Sequence, residues 1–434
     1  MPFALLIVLV CSFPVIDLIS AALYAATDST NVGMIRLFRD GTAIVLFGFG
    51  IARGVAPPAI KPWVALYLGL ILLYLVAAVA GGEDKKLAID SAGQLTLPII
   101  LLHAGLVGVR NGVHLSRMLN CMIVVAVAST IFGAWERNHT ELWTDILFLG
   151  DYLRDIKGVV LGVAYHDLPF NFFGYDDERR AAGLLAAPLA QGSFLAIVGL
   201  VALGWYRSKS PVLAYGLMAA CAVGVYQSGT RGTLAMLIAA IAVYVVLSAV
   251  AGRLRAMDWI VFGGGGLIAV RPLYRILSYT LEMSDGSTDG HVESLSSNLD
   301  GIGAVTLLGN GLGRAGAMAA QAGLDIAGGG EGALFSIIYQ IGIPGGLIFM
   351  GLYVAITGQL YLRHRQPGRL GDLARAGFAL MVGATGTLVS SEHLLTFSGM
   401  AALWLMAGGI LVAPAGATST TAGMPHRHGQ LAPV

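Results

Sequence analysis

Long apolar segments follow one another along almost the whole chain, separated by short polar stretches. Many of them approach the roughly 20 residues that an α-helix needs to cross the hydrocarbon of a bilayer. They are continuously apolar, whereas the strands of a membrane β-barrel alternate apolar and polar positions. Since a backbone inside the bilayer must satisfy its own hydrogen bonds, the segments are predicted to be helices.

The pattern predicts an all-α polytopic integral membrane protein with about twelve transmembrane helices. Residues 1–413 form a single transmembrane domain in this interpretation, and residues 414–434, rich in Pro, Gly, Ala, Ser and Thr, form a disordered tail. The predicted spans are 2–24, 40–56, 62–81, 92–109, 118–135, 184–205, 211–228, 232–251, 257–271, 333–358, 376–391 and 394–413.

Two loops, at about 136–183 and 272–332, are too long to be simple connectors. Each contains apolar residues at helical spacing, which predicts short amphipathic helices, the first lying at the membrane surface. A glycine-rich turn, 309–313, follows the apolar positions of the second loop. The apolar residues at helical spacing are Leu142, Trp143, Ile146, Leu149, Leu153 and Ile156 in the first loop, and Val292, Leu295, Leu299 and Ile302 in the second.

Charge assigns the two sides of the membrane. Only 12% of the residues are charged, against about 25% in soluble domains. With the predicted spans, one set of short loops and the tail carry thirteen Lys and Arg residues and only two acids, Asp258 and Asp372. Because cytoplasmic loops are enriched in Lys and Arg, this set and both termini are expected in the cytoplasm. The two long loops are then on the outer face.

Two arginines at the outer ends of predicted spans are candidate phosphate ligands. Arg231 lies in a Ser-Gly-Thr-Arg-Gly turn, where a planar guanidinium among small residues can clamp a phosphate. The alternative is an ordinary loop arginine that reaches to the interface. Arg180 ends the first long loop, and its alternative is a local salt-bridge cluster with the acids at 176–178.

Glu331 is the candidate general base. It lies between glycines at the start of the span predicted at 333–358, and a carboxylate at an apolar boundary can take a proton from a hydroxyl group. The alternative is that the Glu331 carboxylate only interacts favourably with the dipole at a helix N-terminus. His291, in the second loop, is a further titratable group, although a lone loop histidine is usually just solvated.

Four segments, in this order, resemble the O-antigen ligase and Wzy-type polysaccharide polymerase superfamily. They are the arginine-led segment 180–188, the Ser-Gly-Thr-Arg-Gly turn 228–232, the glycine turn 308–313 and the Glu-led segment 331–347. The resemblance covers about residues 118–413. It implies a bacterial inner-membrane glycosyltransferase that acts at the periplasmic face, inverting and metal-independent, without a cofactor.

The resemblance also implies the substrates. The donor is an oligosaccharide linked to undecaprenyl diphosphate, and the acceptor is either another lipid-linked repeat unit, for a polymerase, or lipid A core, for an O-antigen ligase. Partners implied are membrane lipid and a chain-length regulator and flippase of the same pathway, with no nucleic acid. The alternative from a different functional class is a secondary transporter or flippase. Such proteins typically show repeat symmetry and broken helices.

Residue roles follow from the same resemblance. Arg231 and Arg180 match the family's diphosphate-binding arginines. Glu331 occupies the position at which ligases typically have a histidine, and this favours a polymerase of an extracellular or surface polysaccharide. His291 stands where many members have an arginine, so that the second phosphate ligand is either missing or replaced by Arg275 or Arg314, and His291 is a candidate to assist catalysis.

Overall fold

The computed structural model describes residues 1–159, 161, 167–174, 178–264, 274, 278, 286–302, 307–316, 319, 322–324 and 331–414, and most of these residues are helical. Within these ranges the only β-contact is an isolated bridge between Phe173 and Arg179. The principal helices are α1 Pro2–Ser12, α2 Ile16–Thr27, α3 Ile35–Ala52, α4 Lys61–Ala80, α5 Lys85–Gly108, α6 Gly112–Glu136, α7 Leu149–Lys157, α8 Pro188–Tyr206, α9 Pro211–Gln227, α10 Arg231–Val250, α11 Gly286–Ile302, α12 Ala333–His364, α13 Gly368–Gly383 and α14 Phe397–Val412.

Seven helices in the described part of the chain are long and apolar enough to cross a membrane, or eight if the bent pair α1–α2 counts as one span. The prediction of an all-α, multi-pass membrane protein is confirmed at this level. α9 and α14 coincide with predicted spans but have 17 and 16 residues. α3 begins earlier than predicted and includes three charged residues near its start. Of the predicted span 257–271, residues 265–271 lie outside the described part.

The first predicted span, 2–24, is two helices bent by 63°. Pro14 explains the break, since proline has no N–H to donate and its ring clashes with the preceding turn. α2 then begins at Ile16, and Asp17 in its first turn is buried. The Asp17 carboxylate is 2.9 Å from Lys157 Nζ of α7. A single continuous helix was therefore the wrong prediction for this segment.

The predicted helix of the first long loop corresponds to a π turn, Leu142–Ile146, and α7. Its apolar side chains pack on α2 and on the end of the loop, in a cluster that includes Trp143, Tyr152 and Tyr24. Burial lowers the pKa of Lys157, at the end of α7, although Asp17 opposes this effect. The amphipathic face of α7 is thus covered by protein.

α8 is the central helix, buried along nearly its whole length. Glycines on α8 allow its neighbours to approach closely, as expected for helices packed in a membrane. A Cβ on Gly199 would lie 2.8 Å from the Cβ of Cys221 on α9, and one on Gly204 would lie 2.9 Å from the Cβ of Ala376 on α13. α10, which begins with the candidate Arg231, packs on this centre, whereas α12 packs on α4 and α13.

α12 is kinked at Ile341 and Gly342, about 13 Å from its start. Pro344 cannot donate to the carbonyl oxygen of Gln340, and the kink also frees the carbonyl of Tyr339. Both carbonyls instead accept hydrogen bonds from the segment 307–316, here called the glycine loop. Asn310 N donates to Tyr339 O at 2.7 Å, and Gly311 N donates to Gln340 O at 3.1 Å. Non-helical backbone at this depth is tolerated because protein satisfies it.

Ion pairs identify one end of the helix bundle. At one end Arg207 pairs with Asp258, and Asp372 pairs with Arg253 and Arg375, at 3.3 and 2.9 Å. We call this the Arg375 end. The buried Asp258 carboxylate also accepts hydrogen bonds from Tyr215 and the Arg255 amide. α10 and α12 both begin at the opposite end, which we call the Glu331 end.

Candidate functional site

The structure brings Arg180 onto the turn that contains Arg231. A Cβ built on Gly229 would lie 2.9 Å from Arg180 Cγ and 3.1 Å from its Nε, so the arginine side chain lies against the bare backbone of the turn. Any larger residue at position 229 would displace it. Arg180 is held from the other side as well, because its amide donates to Phe172 O at 2.9 Å. The two predicted phosphate ligands therefore share one place in the fold.

The turn has the geometry of a helix start. Gly229 has a φ of +61°, which glycine adopts readily, and α10 begins two residues later with Arg231. Thr230 stands at the N-cap position, but its hydroxyl contacts Pro188 O at 3.3 Å and caps no amide of α10. No acidic residue occupies the first turn. Because the first N–H groups of a helix have no partner within it, this start is electropositive.

Arg179, the neighbour of Arg180, has a different environment. Its guanidinium is 3.5 Å from the carboxylate of Glu136 at the end of α6, and both side chains are less than 10% exposed. Burial lowers the pKa of Arg179, and Glu136 opposes this effect. The Glu136 carboxylate also accepts from the amides of Ala182 and Gly183. This pair fixes the chain segment that presents Arg180.

Glu331 lies directly before α12, beside the turn that precedes α14. Ala333 N donates to Ser391 O at 3.0 Å, and a Cβ on Gly332 would lie 2.4 Å from Val389 O. On its other side Glu331 meets α11, where Asn298 Nδ2 donates to Glu331 O at 2.7 Å. The predicted base is therefore half-buried, with its backbone tied to two other segments.

A second carboxylate lies in the same region and was not among the residues predicted from the sequence. A Cβ on Gly316 would lie 2.0 Å from Glu392 Oε1, so Glu392 rests on the glycine loop. Arg314, two residues earlier in that loop, is exposed. The sequence signal for Glu392 was its place in the turn before the last span, but only the fold shows which loop covers it.

The candidate residues form two groups at the Glu331 end. Arg180 and Arg231 belong to the first, and Glu331, Arg314 and Glu392 belong to the second. α13 runs between them. Its last residue, Gly383, is next to α10, because a Cβ there would lie 2.5 Å from Met236 O. The segment after α13 continues to Ser391, beside Glu331. His291 lies in α11, and its side chain is outside the described part of the structure, as is the whole of Arg275.

In the part of the chain that the structure describes, no three His, Cys, Asp or Glu side chains are grouped to hold a metal ion. No family model matches the chain, and a search of curated proteins found no match.

Proposed function

We propose that the protein is a glycosyltransferase that polymerises undecaprenyl-diphosphate-linked oligosaccharide units into a surface or extracellular polysaccharide. The observation that supports this best is the packing of Arg180 on the turn that begins α10. The side chain of Arg180 and the helix start that contains Arg231, which has no side-chain cap, come together in one turn of a membrane protein. Such an arrangement suits a diphosphate, because each element attracts negative charge and donates hydrogen bonds.

The reaction explains why the charges would be needed. When the glycan leaves the lipid, negative charge develops on the diphosphate, and prearranged donors stabilise that charge in the transition state. Arg180 and Arg231 would hold the diphosphate; Arg314, which lies in the other group with Glu331, is the weaker candidate. The acceptor hydroxyl has to lose a proton, and Glu331 would take it or orient the hydroxyl. His291 remains a candidate to assist.

The membrane orientation belongs to the same proposal. We place the Arg375 end and both termini in the cytoplasm and the Glu331 end in the periplasm, with twelve spans in the bacterial inner membrane. Support comes from the Lys and Arg residues of the short loops, which gather at the Arg375 end. A donor that is exposed on the outer leaflet would then meet the arginine turn directly.

Substitution of Arg231 tests the proposal in cells. Arg231→Ala should remove polymer and leave single lipid-linked repeat units, since hydrogen bonds to a charged group are each worth about 1.5–3 kcal/mol, or about 10- to 100-fold in rate. Arg231→Lys keeps the charge but loses the planar fork and should restore only part of the activity. The readout is the length distribution of extracted lipid-linked glycan.

Arg117→Ala is a matched control, because Arg117 is an exposed arginine near the start of α6, whose other end is Glu136. It should make normal polymer. If Arg231→Ala also makes normal polymer at normal protein level, the assigned site is wrong. If the deletion strain accumulates lipid-linked polymer instead of single units, the protein is an O-antigen ligase.

A transporter or flippase is the second candidate, and the broken helices favour it. α12 is interrupted at Ile341–Gly342, and α1 and α2 are bent relative to each other; such interruptions often form transporter sites. The purified protein in liposomes separates the two functions. A polymerase should lengthen a lipid-linked oligosaccharide that is supplied on one leaflet, whereas a flippase should move it across without a change in length.

A further inference from the structure

The helix α11 has three distinct faces along residues 292–302. One face is buried and polar, with Ser294 8% and Asn298 1% exposed. A second face is apolar and exposed. A third is polar and exposed. At about 100° per residue the three occupy separate sectors of the helix. The apolar sector contains Val292, Leu295 and Leu299, and the exposed polar sector contains Glu293, Ser296, Ser297 and Asp300.

This arrangement is the reverse of that in a soluble protein, where an amphipathic helix turns its apolar face to the core. In α11 the inward face is fixed by hydrogen bonds. Asn298 Nδ2 donates to Glu331 O at 2.7 Å, and Tyr339 Oη donates to Asn298 O at 2.9 Å. The leucines are consequently directed away from the protein, with Leu295 38% and Leu299 58% exposed.

The contact with Tyr339 gives the depth of the helix. α12 has 32 residues and is about 48 Å long, whereas the hydrocarbon of a bilayer is about 30 Å thick. If α12 is centred in the membrane, about six residues protrude at each end. Tyr339, six positions after Ala333, then lies at the boundary between hydrocarbon and headgroups. α11 is bonded to it at that level.

The apolar face also has an apolar neighbour on the chain. Leu307 and Leu308, at the start of the glycine loop, are 65% and 66% exposed. The carbonyl of Leu308 accepts a hydrogen bond from Tyr74 of α4. The exposed side of α4 next to Tyr74 is aliphatic and includes Leu66 and Leu73, which are 56% and 63% exposed. Exposed apolar surface therefore continues from the segment after α11 to the side of a membrane-spanning helix, which favours lipid as the occupant.

We propose that α11 lies in the membrane–water interface at the Glu331 end, with Val292, Leu295 and Leu299 among lipid acyl chains and Glu293 and Asp300 in water. A helix with adjacent apolar and charged sectors is typical of this position. Because Asn298 ties the helix to Glu331, lipid contact would set the height of Glu331 relative to the headgroups. This position of α11 does not depend on the proposed glycosyl transfer.

Paired cysteine substitutions test the placement. In a background without Cys11, Cys121 and Cys221, an environment-sensitive fluorophore is attached to Leu295→Cys or to the matched Ser297→Cys, and the protein is placed in nanodiscs of phosphatidylethanolamine and phosphatidylglycerol. The label at position 295 should show blue-shifted emission and lose intensity with doxyl-labelled lipid. The label at position 297 should lose intensity with aqueous iodide. Leu299→Cys and Asp300→Cys repeat the comparison at the next positions.

The opposite results would overturn the proposal. Equal quenching by iodide at the leucine and polar positions of both pairs would place the apolar face in water. A second copy of the chain would be the occupant if Leu295→Cys forms a disulfide between two copies. In that case the protection of position 295 from iodide should vanish on dilution in detergent. Either outcome leaves the diphosphate site to be judged by the Arg231 variants alone.

Discussion

Neighbouring arginines in this chain have different environments. The sequence predicts that Arg180 either binds phosphate or joins a salt bridge with the acids just before it. In the structure Arg180 lies on the Gly229 turn, Arg179 pairs with Glu136, and Glu178 pairs with Arg137. The resemblance could indicate Arg180, since its motif is local. It could not indicate Glu136, because the partner is distant in sequence and no local pattern links the two.

Removal of Glu136 should therefore act on stability more than on chemistry. Breaking a buried ion pair costs about 3–5 kcal/mol because the remaining charge stays buried. Glu136→Ala should lower the melting temperature of the detergent-solubilised protein by several degrees. Glu136→Ala combined with Arg179→Ala should cost less than the sum of the two single variants. A strictly additive result would show that the pair contributes no coupling.

At the scale of elements, the kink of α12 and the glycine loop explain each other. The sequence predicts a span at 333–358 and, separately, a glycine turn at 309–313. Neither pattern predicts that amides of the turn donate to the carbonyl groups that the kink leaves without helical donors, since Gly309 and Gly342 are far apart in the chain. Pro14 and Pro344 were visible signals of interruption in α1–α2 and α12. The direction of each bend depends on packing with other helices, which periodicity does not report.

Alanine at the contact between the two elements should disturb both. Gly309 and Gly342 have φ values of +75°, and a Cβ on Gly309 would lie 2.5 Å from Gly342 N. The left-handed conformation alone costs about 1–2 kcal/mol for a residue with a side chain. Gly309→Ala and Gly342→Ala should each lower the melting temperature. Gly358→Ala on the same helix, where a Cβ would meet nothing within 4 Å, should leave it unchanged or raise it.

At the scale of the whole molecule, apolar runs and charge give the general plan. Run length predicts most of the long helices, because the thickness of the bilayer sets that length. The charge of the short loops predicts that arginines gather at one end, and the ion pairs around Asp258 and Asp372 lie there. The arrangement of the site is less predictable. Arg231 begins α10 and Glu331 lies two residues before α12, but only the packing of both helices on α13 places these starts at the same end.

The proposed function requires that the Glu331 end face the periplasm. In a cysteine-free background, Gly232→Cys and Glu331→Cys report this end, and the exposed Arg365→Cys reports the Arg375 end. A membrane-impermeant maleimide is added to spheroplasts before and after lysis. We expect labelling at positions 232 and 331 in intact spheroplasts and at position 365 only after lysis. Labelling of position 365 alone in intact spheroplasts would put the arginine turn and Glu331 in the cytoplasm, where a periplasmic lipid-linked donor could not reach them.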